Sequence, residues 1–158
     1  MAYQAFDVTI EDHVAHLQLK RPEALNTMIP AFWSEIREIF EALANDASVR
    51  VAVLSSTGKH FTAGMDLSVF ASLAPTVAEE ARKRDELRRK ILALQDCFSI
   101  IERMRFPVLV AIQGGCIGGG VDMVSACDMR YATADAFFQI AEINIGMTAD
   151  VGTLQRLP

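Results

Sequence analysis

The chain has 158 residues, 51% of them hydrophobic, and its mean hydropathy is +0.23. A chain of this size and composition can bury the core of one domain, which argues against an intrinsically disordered protein. The formal charge of −5 and the pI near 5.2 argue against a surface that binds nucleic acid or an anionic membrane.

Cysteine content and the first residues indicate a compartment. Cys97, Cys116 and Cys127 are odd in number and lack the CxxC spacing of a zinc site, which is typical of free, buried thiols in a reducing environment. The sequence has no apolar stretch long enough to span a bilayer, and its first residues contain neither a basic leader nor an apolar signal core. We therefore expect a cytoplasmic protein.

Apolar periodicity predicts the first elements. Alternating apolar residues over 3–10 and 14–20 predict the two strands of a hairpin. From Pro30 to Asn45 the apolar residues recur at helical spacing, and a proline in the first turn fits the start of a helix. The β-branched run from Val49 to Leu54 predicts a buried, parallel strand that a loop follows.

A long helix and further strands come next. Residues 77–104 have a helical pattern that ends before Pro107, and their basic run favours a solvated helix face over a phosphate site. The pattern then predicts a buried strand, a glycine-rich turn, a helix and two short strands, over residues 108–112, 114–120, 121–126, 129–132 and 136–140. This recurrence of strand, turn and helix predicts an α/β fold in one domain.

Two glycine-bearing loops are the first candidate for a functional site. The segments Phe61–Asp66 and Gly118–Gly120 each follow a predicted buried strand. Glycine lets a backbone amide approach a ligand closely, and two amides that face one point form an oxyanion hole. A dinucleotide site is disfavoured because the glycines do not form GxGxxG in register and no GxxxxGK[ST] motif occurs.

Three carboxylates are the second candidate. Asp122, Glu142 and Asp150 lie among apolar residues near the end of the chain, where burial would displace their pKa values and make them candidate proton carriers. Each also has a structural alternative: Asp122 in the first turn of a helix, Glu142 as a charge at a strand edge, and Asp150 as an N-cap. Asp66 and Asp128 are expected to be structural caps or turn residues.

Four motifs resemble the crotonase, or enoyl-CoA hydratase and isomerase, superfamily. They are Thr62–Leu67, Gly114–Asp122, Cys127–Tyr131 and Gly152–Leu157, and Arg21-Pro22 and Asn26 also match. The resemblance runs from Val8 to Pro158. It implies an α/β fold of the ββα-spiral type with helices covering the sheets, acyl-coenzyme A thioester substrates, and homotrimers or hexamers. Because members of the family are longer, we expect residues 1–158 to be the core domain without its C-terminal helical part.

The resemblance also assigns roles to residues in the two loops. The backbone amides of Met65 and Gly119 would form the oxyanion hole and stabilise a thioester enolate. The substrate channel would be lined, together with Gly119, by Phe61, Thr62, Ala63, Gly64 and Met65.

The carboxylates resemble those of the subgroup that converts 3,5-dienoyl-CoA to 2,4-dienoyl-CoA in fatty acid β-oxidation. By that likeness Asp150 would be the base at C2, Glu142 the acid at C6, and Asp122 would raise the pKa of Glu142. The alternatives are an enoyl-CoA hydratase, in which Asp122 and Glu142 share a water, and a non-catalytic binding module. We expect no metal or redox cofactor, since the three histidines lack triad partners and metal-ligand spacing.

Overall fold

A five-stranded sheet forms the centre of the molecule, seen here in a computed structural model that describes residues 3–74 and 76–157. Its strands, in spatial order, are β1 (Phe6–Glu11), β2 (Val14–Leu19), β3 (Val51–Ser56), β4 (Val108–Ile112) and β6 (Met129–Ala132). A second sheet pairs β5 (Gly115–Ile117) with β7 (Phe137–Gln139) in parallel. The predicted α/β class is confirmed.

The pairing of the large sheet follows from the lengths of its connections. β1 and β2 are antiparallel and joined by a turn at Asp12 and His13, both with positive φ, so the predicted hairpin is confirmed. The other neighbours are parallel and need long crossovers, which helices provide. β3 begins two residues later than predicted and extends to Ser56, because Ser55 and Ser56 continue the register with β2.

Two long helices cover the sheet. α1 (Pro30–Asn45) and α3 (Glu80–Glu102) match the predicted helices closely. Phe32 of α1 stacks on Phe6 of β1 with 5.2 Å between ring centroids, and it contacts α3 by meeting the edge of Phe98 at 6.5 Å. The basic residues of α3 form ion pairs with acids one turn away, such as Lys83 with Glu80 at 2.7 Å, as a solvated face does.

The first two of the three short helices differ from the sequence prediction. α2 (Leu67–Leu73) lies within the predicted loop and begins at Asp66, whose carboxylate accepts the amide hydrogen of Ser68 at 2.9 Å. α4 (Gly119–Ser125) starts two residues earlier than predicted, inside the glycine-rich turn. α5 (Thr153–Arg156) is a single turn. The expected capping role of Asp66 is confirmed.

Burial explains the state of the thiols. All three cysteines are free and buried, and burial raises the pKa of Cys97 to about 11 and of Cys116 and Cys127 to about 12. The expectation of buried, free thiols is confirmed. Within residues 3–74 and 76–157, no helix is long and apolar enough to cross a membrane.

Asn26 fixes the entry to the first loop. Its side chain is only 2% exposed; it accepts the amide hydrogen of Arg21 at 2.9 Å and donates to the carbonyls of Thr57 and His60 at 2.8 and 3.3 Å. Leu25 and Asn26 both have positive φ, a conformation that asparagine tolerates better than most residues. One side chain therefore ties the segment before α1 to the segment after β3.

We predict that Asn26→Ala lowers the free energy of unfolding by about 1–3 kcal/mol, because it leaves a buried amide and two carbonyls without their partner. Urea unfolding of the purified protein measures the change. Asn45→Ala is the matched control, since Asn45 is exposed and donates to Glu41 within one helix. Equal losses for the two variants would contradict the anchoring role.

Candidate active site

The first loop is held so that one amide is directed away from the core. Thr62 is fully buried; its hydroxyl donates to the carbonyl of Asn26 at 2.7 Å and accepts the amide hydrogen of Gly64 at 3.1 Å. The carbonyl of Gly64 accepts the amide hydrogen of Met28 at 2.8 Å. Because C=O and N–H point in opposite directions across a trans peptide, the Met65 amide faces away from Met28.

The second loop presents another amide by the same logic. Gly118 has a φ of +53° and follows the strand β5, and its carbonyl accepts the amide hydrogen of Val121 at 2.7 Å inside α4. Gly119 is the first residue of that helix, so its own N–H has no partner within the helix. This amide points out of the N-terminal end of α4, where the helix dipole favours negative charge.

Glycine is required where the two loops touch. A Cβ on Gly64 would lie 2.6 Å from the carbonyl oxygen of Ile117 and 3.5 Å from the nitrogen of Gly119. A Cβ on Gly120 would lie 2.5 Å from Cγ2 of Thr62. The absence of these side chains lets the amides of Met65 and Gly119 share the wall of one cavity.

This cavity has a volume of about 150 Å³ and one ionisable side chain in its wall. It is lined by Ala63, Met65, Leu67, Gly118, Gly119, Ala141, Glu142 and Ile145. Met65, Gly119 and the acidic residue Glu142 therefore line the same largely apolar space. That combination can stabilise an oxyanion and transfer a proton.

Glu142 lies at the start of a 3₁₀ turn, Glu142–Ile145, rather than at a strand edge. Its Oε1 lies near Gly118, where a Cβ would come within 3.2 Å, and its Oε2 is buried without a hydrogen-bond partner among the described residues. Burial is the main cause that raises the pKa of Glu142; backbone hydrogen bonds of Glu142 and Ala141 oppose the rise, and repulsion from Asp122 and Asp150 adds to it. The carboxyl therefore keeps its proton to a higher pH than a free glutamate.

Asp122 lies behind the cavity, on α4, and is 1% exposed. Its Oδ1 accepts both the amide and the hydroxyl hydrogen of Thr153, each at 2.6 Å. Burial raises the pKa of Asp122, whereas the two bonds from Thr153 and the charge of Arg156 oppose that rise. Asp122 does not line the cavity but is close enough to Glu142 to influence its charge.

Asp150 lies in the turn before α5 and is half-buried. Its backbone carbonyl accepts a hydrogen bond from Gln95 of α3 at 2.6 Å. The alternative in which Asp150 is the N-cap of α5 is wrong, because Gly152 occupies that position and the amide of Thr153 donates to Asp122. Asp150 raises the pKa of both other acids, so the three carboxylates form one electrostatic group.

The six loop residues that were predicted to line the substrate channel have different roles in the structure. Ala63, Met65 and Gly119 line the cavity, whereas Phe61 and Thr62 are fully buried and support the loop from below. Gly64 acts through its lack of a side chain.

Sequence reasoning identified Gly118 within the glycine-rich loop but did not identify three other residues of the cavity wall. They are Leu67, Ala141 and Ile145. Ile145 lies one 3₁₀ turn after Glu142, which is the one spacing that could have indicated it. The others have no distinctive signal in a single sequence.

Other candidate chemistry has a structural role in the described part of the chain. The ring of His60 accepts the amide hydrogen of Gly115 at 2.9 Å, and Asp128 accepts that of Val108 at 2.7 Å, which confirms the expected structural role of Asp128. In residues 3–74 and 76–157, no group of three or more His, Cys, Asp or Glu side chains could hold a metal ion.

Comparison with known proteins identifies the family of the chain. The family model for enoyl-CoA hydratase/isomerase matches residues 9–158. The chain is 51% identical, over 159 residues, to the mitochondrial Delta(3,5)-Delta(2,4)-dienoyl-CoA isomerase of Mus musculus, in a match that covers 99% of this chain and 49% of the relative. It is 42% identical to the peroxisomal Delta(3,5)-Delta(2,4)-dienoyl-CoA isomerase of Arabidopsis thaliana, over 94% of this chain and 54% of that one. The chain thus spans about half the length of these relatives.

These relatives correct the expected location. The mouse protein is mitochondrial and the Arabidopsis protein is peroxisomal, so the expectation of a cytoplasmic protein is wrong. The physical reason is that free, buried thiols indicate only a reducing environment and do not distinguish the cytoplasm from an organelle interior.

A solved structure of similar shape completes the comparison. A protein of Thermobifida fusca YX, determined in complex with acetoacetyl-CoA, has a TM-score of 0.83 and 28% identity over 97% of this chain and 60% of that one. The predicted crotonase-like fold is therefore confirmed. On the match of residues 9–158 and the identity to both isomerases, the chain belongs to the enoyl-CoA hydratase/isomerase family.

Proposed function

We propose that the protein isomerises 3,5-dienoyl-CoA to 2,4-dienoyl-CoA. The observation that carries the proposal is the protonation-prone carboxyl of Glu142 in the wall that also holds the amides of Met65 and Gly119. These amides donate hydrogen bonds to the thioester oxygen and so stabilise the negative charge that develops on it, as an oxyanion hole does. The identity to relatives named for this reaction supports the same choice.

The reaction requires two proton transfers at opposite ends of one conjugated system. Asp150 removes a proton from C2, and the electron pair spreads over the thioester oxygen and the carbons as far as C6. Glu142 then delivers a proton to C6, which moves the double bonds to positions 2 and 4. The raised pKa of Glu142 suits the general acid that delivers the second proton. No electron leaves the substrate in either step, so the reaction needs no redox cofactor.

Hydration of 2-enoyl-CoA is the second candidate, because Asp122 and Glu142 interact through space. That reaction needs both carboxylates on one water molecule. Asp122 instead lies behind the cavity and accepts two hydrogen bonds from Thr153. The two bonds from Thr153 make Asp122 a poor partner for a water on Glu142. Asp150 also lies outside the lining of this cavity, and its assignment as the C2 base rests on the likeness to the dienoyl-CoA isomerases.

We predict that isomerisation dominates when the purified protein is assayed separately with 3,5-dienoyl-CoA and 2-enoyl-CoA. Asp150→Asn lowers kcat for isomerisation by about 10²–10⁴-fold, the usual loss when a general base is removed. Product ultraviolet absorbance measures both reactions. Asp7→Asn, an exposed residue paired with Lys20 on the far edge of the sheet, is the control. A main product that is hydrated would overturn the proposal.

Glu142→Gln separates the two proton transfers. We expect it to reduce product formation by about 10²–10⁴-fold while the C2 hydrogen still exchanges in heavy water, because Asp150 remains in place. Asp150→Asn should lose both product formation and exchange of the C2 hydrogen. Mass spectrometry of recovered substrate measures exchange. If the wild-type protein shows no exchange at C2, the non-catalytic alternative is correct.

Gly64→Ala tests the oxyanion hole. The added methyl would lie between the Ile117 carbonyl and the Gly119 nitrogen, so we expect kcat to fall about 10²–10³-fold, as for loss of one oxyanion donor. Gly146→Ala is the matched control: Gly146 also has a positive φ, +69°, but no atom lies within 4 Å of the position that its added methyl would take. Similar losses in both variants would assign the effect to backbone strain alone.

We also propose that the intact protein forms trimers or pairs of trimers, as the family resemblance implies. Large apolar side chains are exposed after β6, including Phe137, Phe138, Ile143 and Ile145. Such side chains are typical of surfaces covered by further protein. Light scattering of the purified intact protein measures the mass, and a monomer at micromolar concentration would contradict this proposal.

A further inference from the structure

Asp122 depends on one neighbour for both hydrogen bonds to its Oδ1. The amide and the hydroxyl of Thr153 each lie 2.6 Å from that oxygen, and Thr153 is 3% exposed. Hydrogen bonds to an ionised acceptor are shorter and stronger than neutral ones. Thr153 therefore fixes the position of the carboxylate and favours its charged form.

Thr153 needs an anchor of its own, because α5 is a single turn and a helix of that length is not stable alone. Arg156 provides the anchor. Its Nε and Nη2 bond both carboxylate oxygens of Glu102 on α3, at 2.7 and 2.8 Å, and its side chain is 6% exposed.

Arg156 also lies directly under the start of this turn. A Cβ at Gly152 would overlap Nη1 of Arg156 and would lie 3.4 Å from Cβ of Asp122. Nη1 is buried without a hydrogen-bond partner among the described residues. The guanidinium thus packs between α3 and the turn that carries Thr153, on the side of Asp122.

We propose that Thr153 is a positioning residue for proton transfer: it fixes the location of the Asp122 carboxylate and favours its ionised form. The ion pair of Arg156 with Glu102 in turn keeps Thr153 in place. This inference rests on the proposed isomerase function. It extends the site to α3 through residues that do not line the cavity.

The charges around Asp122 determine in which direction loss of the Thr153 hydroxyl changes the pKa of Glu142. Arg156 favours its ionised form, whereas Asp150 opposes it; Glu142 and Cys116 in turn respond to the charge of Asp122. Without the Thr153 hydroxyl, Asp122 takes up a proton more readily. Glu142 then loses a negative neighbour, its pKa falls, and it gives up its proton at a lower pH.

The test compares Thr153→Val, which removes the hydroxyl at nearly constant size, with Thr153→Ser, which keeps it. We expect Thr153→Val to lower kcat for 3,5-dienoyl-CoA about tenfold, the usual worth of a hydrogen bond to a charged group, with little change in KM. The fall of kcat at high pH should move to lower pH. Thr153→Ser should keep kcat, and the pH at which kcat falls, close to those of the wild-type protein.

Two further variants distinguish positioning from general stability. Thr57→Val removes a half-buried hydroxyl that donates to Leu19 at 3.2 Å, far from the acids, and should leave the pH profile unchanged. Glu102→Gln should move the profile in the same direction as Thr153→Val, and it carries the test if Thr153→Val does not fold. An unmoved profile in a folded Thr153→Val protein overturns the inference.

A measurement without substrate separates this inference from the proposed function. Infrared spectroscopy follows the protonated carboxyl band of Glu142 against pH, and Glu142→Gln assigns that band. If the wild-type protein does not isomerise the dienoyl substrate, the proposed function fails. If the band titrates at the same pH in wild type and Thr153→Val, the positioning role fails.

Discussion

The close packing of two loops is the constraint on which the site depends. Gly64 lies against the Ile117 carbonyl and the Gly119 nitrogen, and Gly120 lies against Thr62. Any side chain at these glycines would separate the loops, and the amides of Met65 and Gly119 would no longer share one cavity. The hydrogen bonds of Asn26 and Thr62 then fix the first loop in direction as well as position.

A second constraint is electrostatic. Three carboxylates stand close together in a largely apolar region, and burial and mutual repulsion both favour the protonated forms of Asp122 and Glu142. Thr153 and Arg156 act against this at Asp122 alone. The two acids differ in their donors: Oδ1 of Asp122 accepts two hydrogen bonds from Thr153, whereas Oε2 of Glu142 is buried without a partner among the described residues, and the backbone hydrogen bonds of Glu142 and Ala141 offset only part of the rise in its pKa. Neighbouring acids with different environments can take different roles in one reaction.

Sequence patterns predicted the parts that depend on local periodicity and on motif chemistry. The hairpin, α1, α3 and the two glycine loops follow from the spacing of apolar residues and glycines. Contacts between residues that are far apart in the chain could not be predicted from such spacing. Nothing in the sequence near Asp150 indicates that the amide of Thr153 donates to Asp122, which lies 31 positions earlier in the chain. The ion pair of Arg156 with Glu102, 54 positions apart, is equally invisible to spacing.

The site also works against the stability of the fold. Because burial raises the pKa of Asp122 and Glu142, the folded state binds protons more tightly than the unfolded chain. The stabilisation from these groups is therefore complete below their unfolded pKa values and is lost as the pH rises through the raised folded values. At neutral pH an ionised Asp122 opposes folding, and the two donors of Thr153 reduce that cost. An asparagine at position 122 would accept the same hydrogen bonds without the desolvation of an ion, so the charge of Asp122 costs the fold stability that an amide would not.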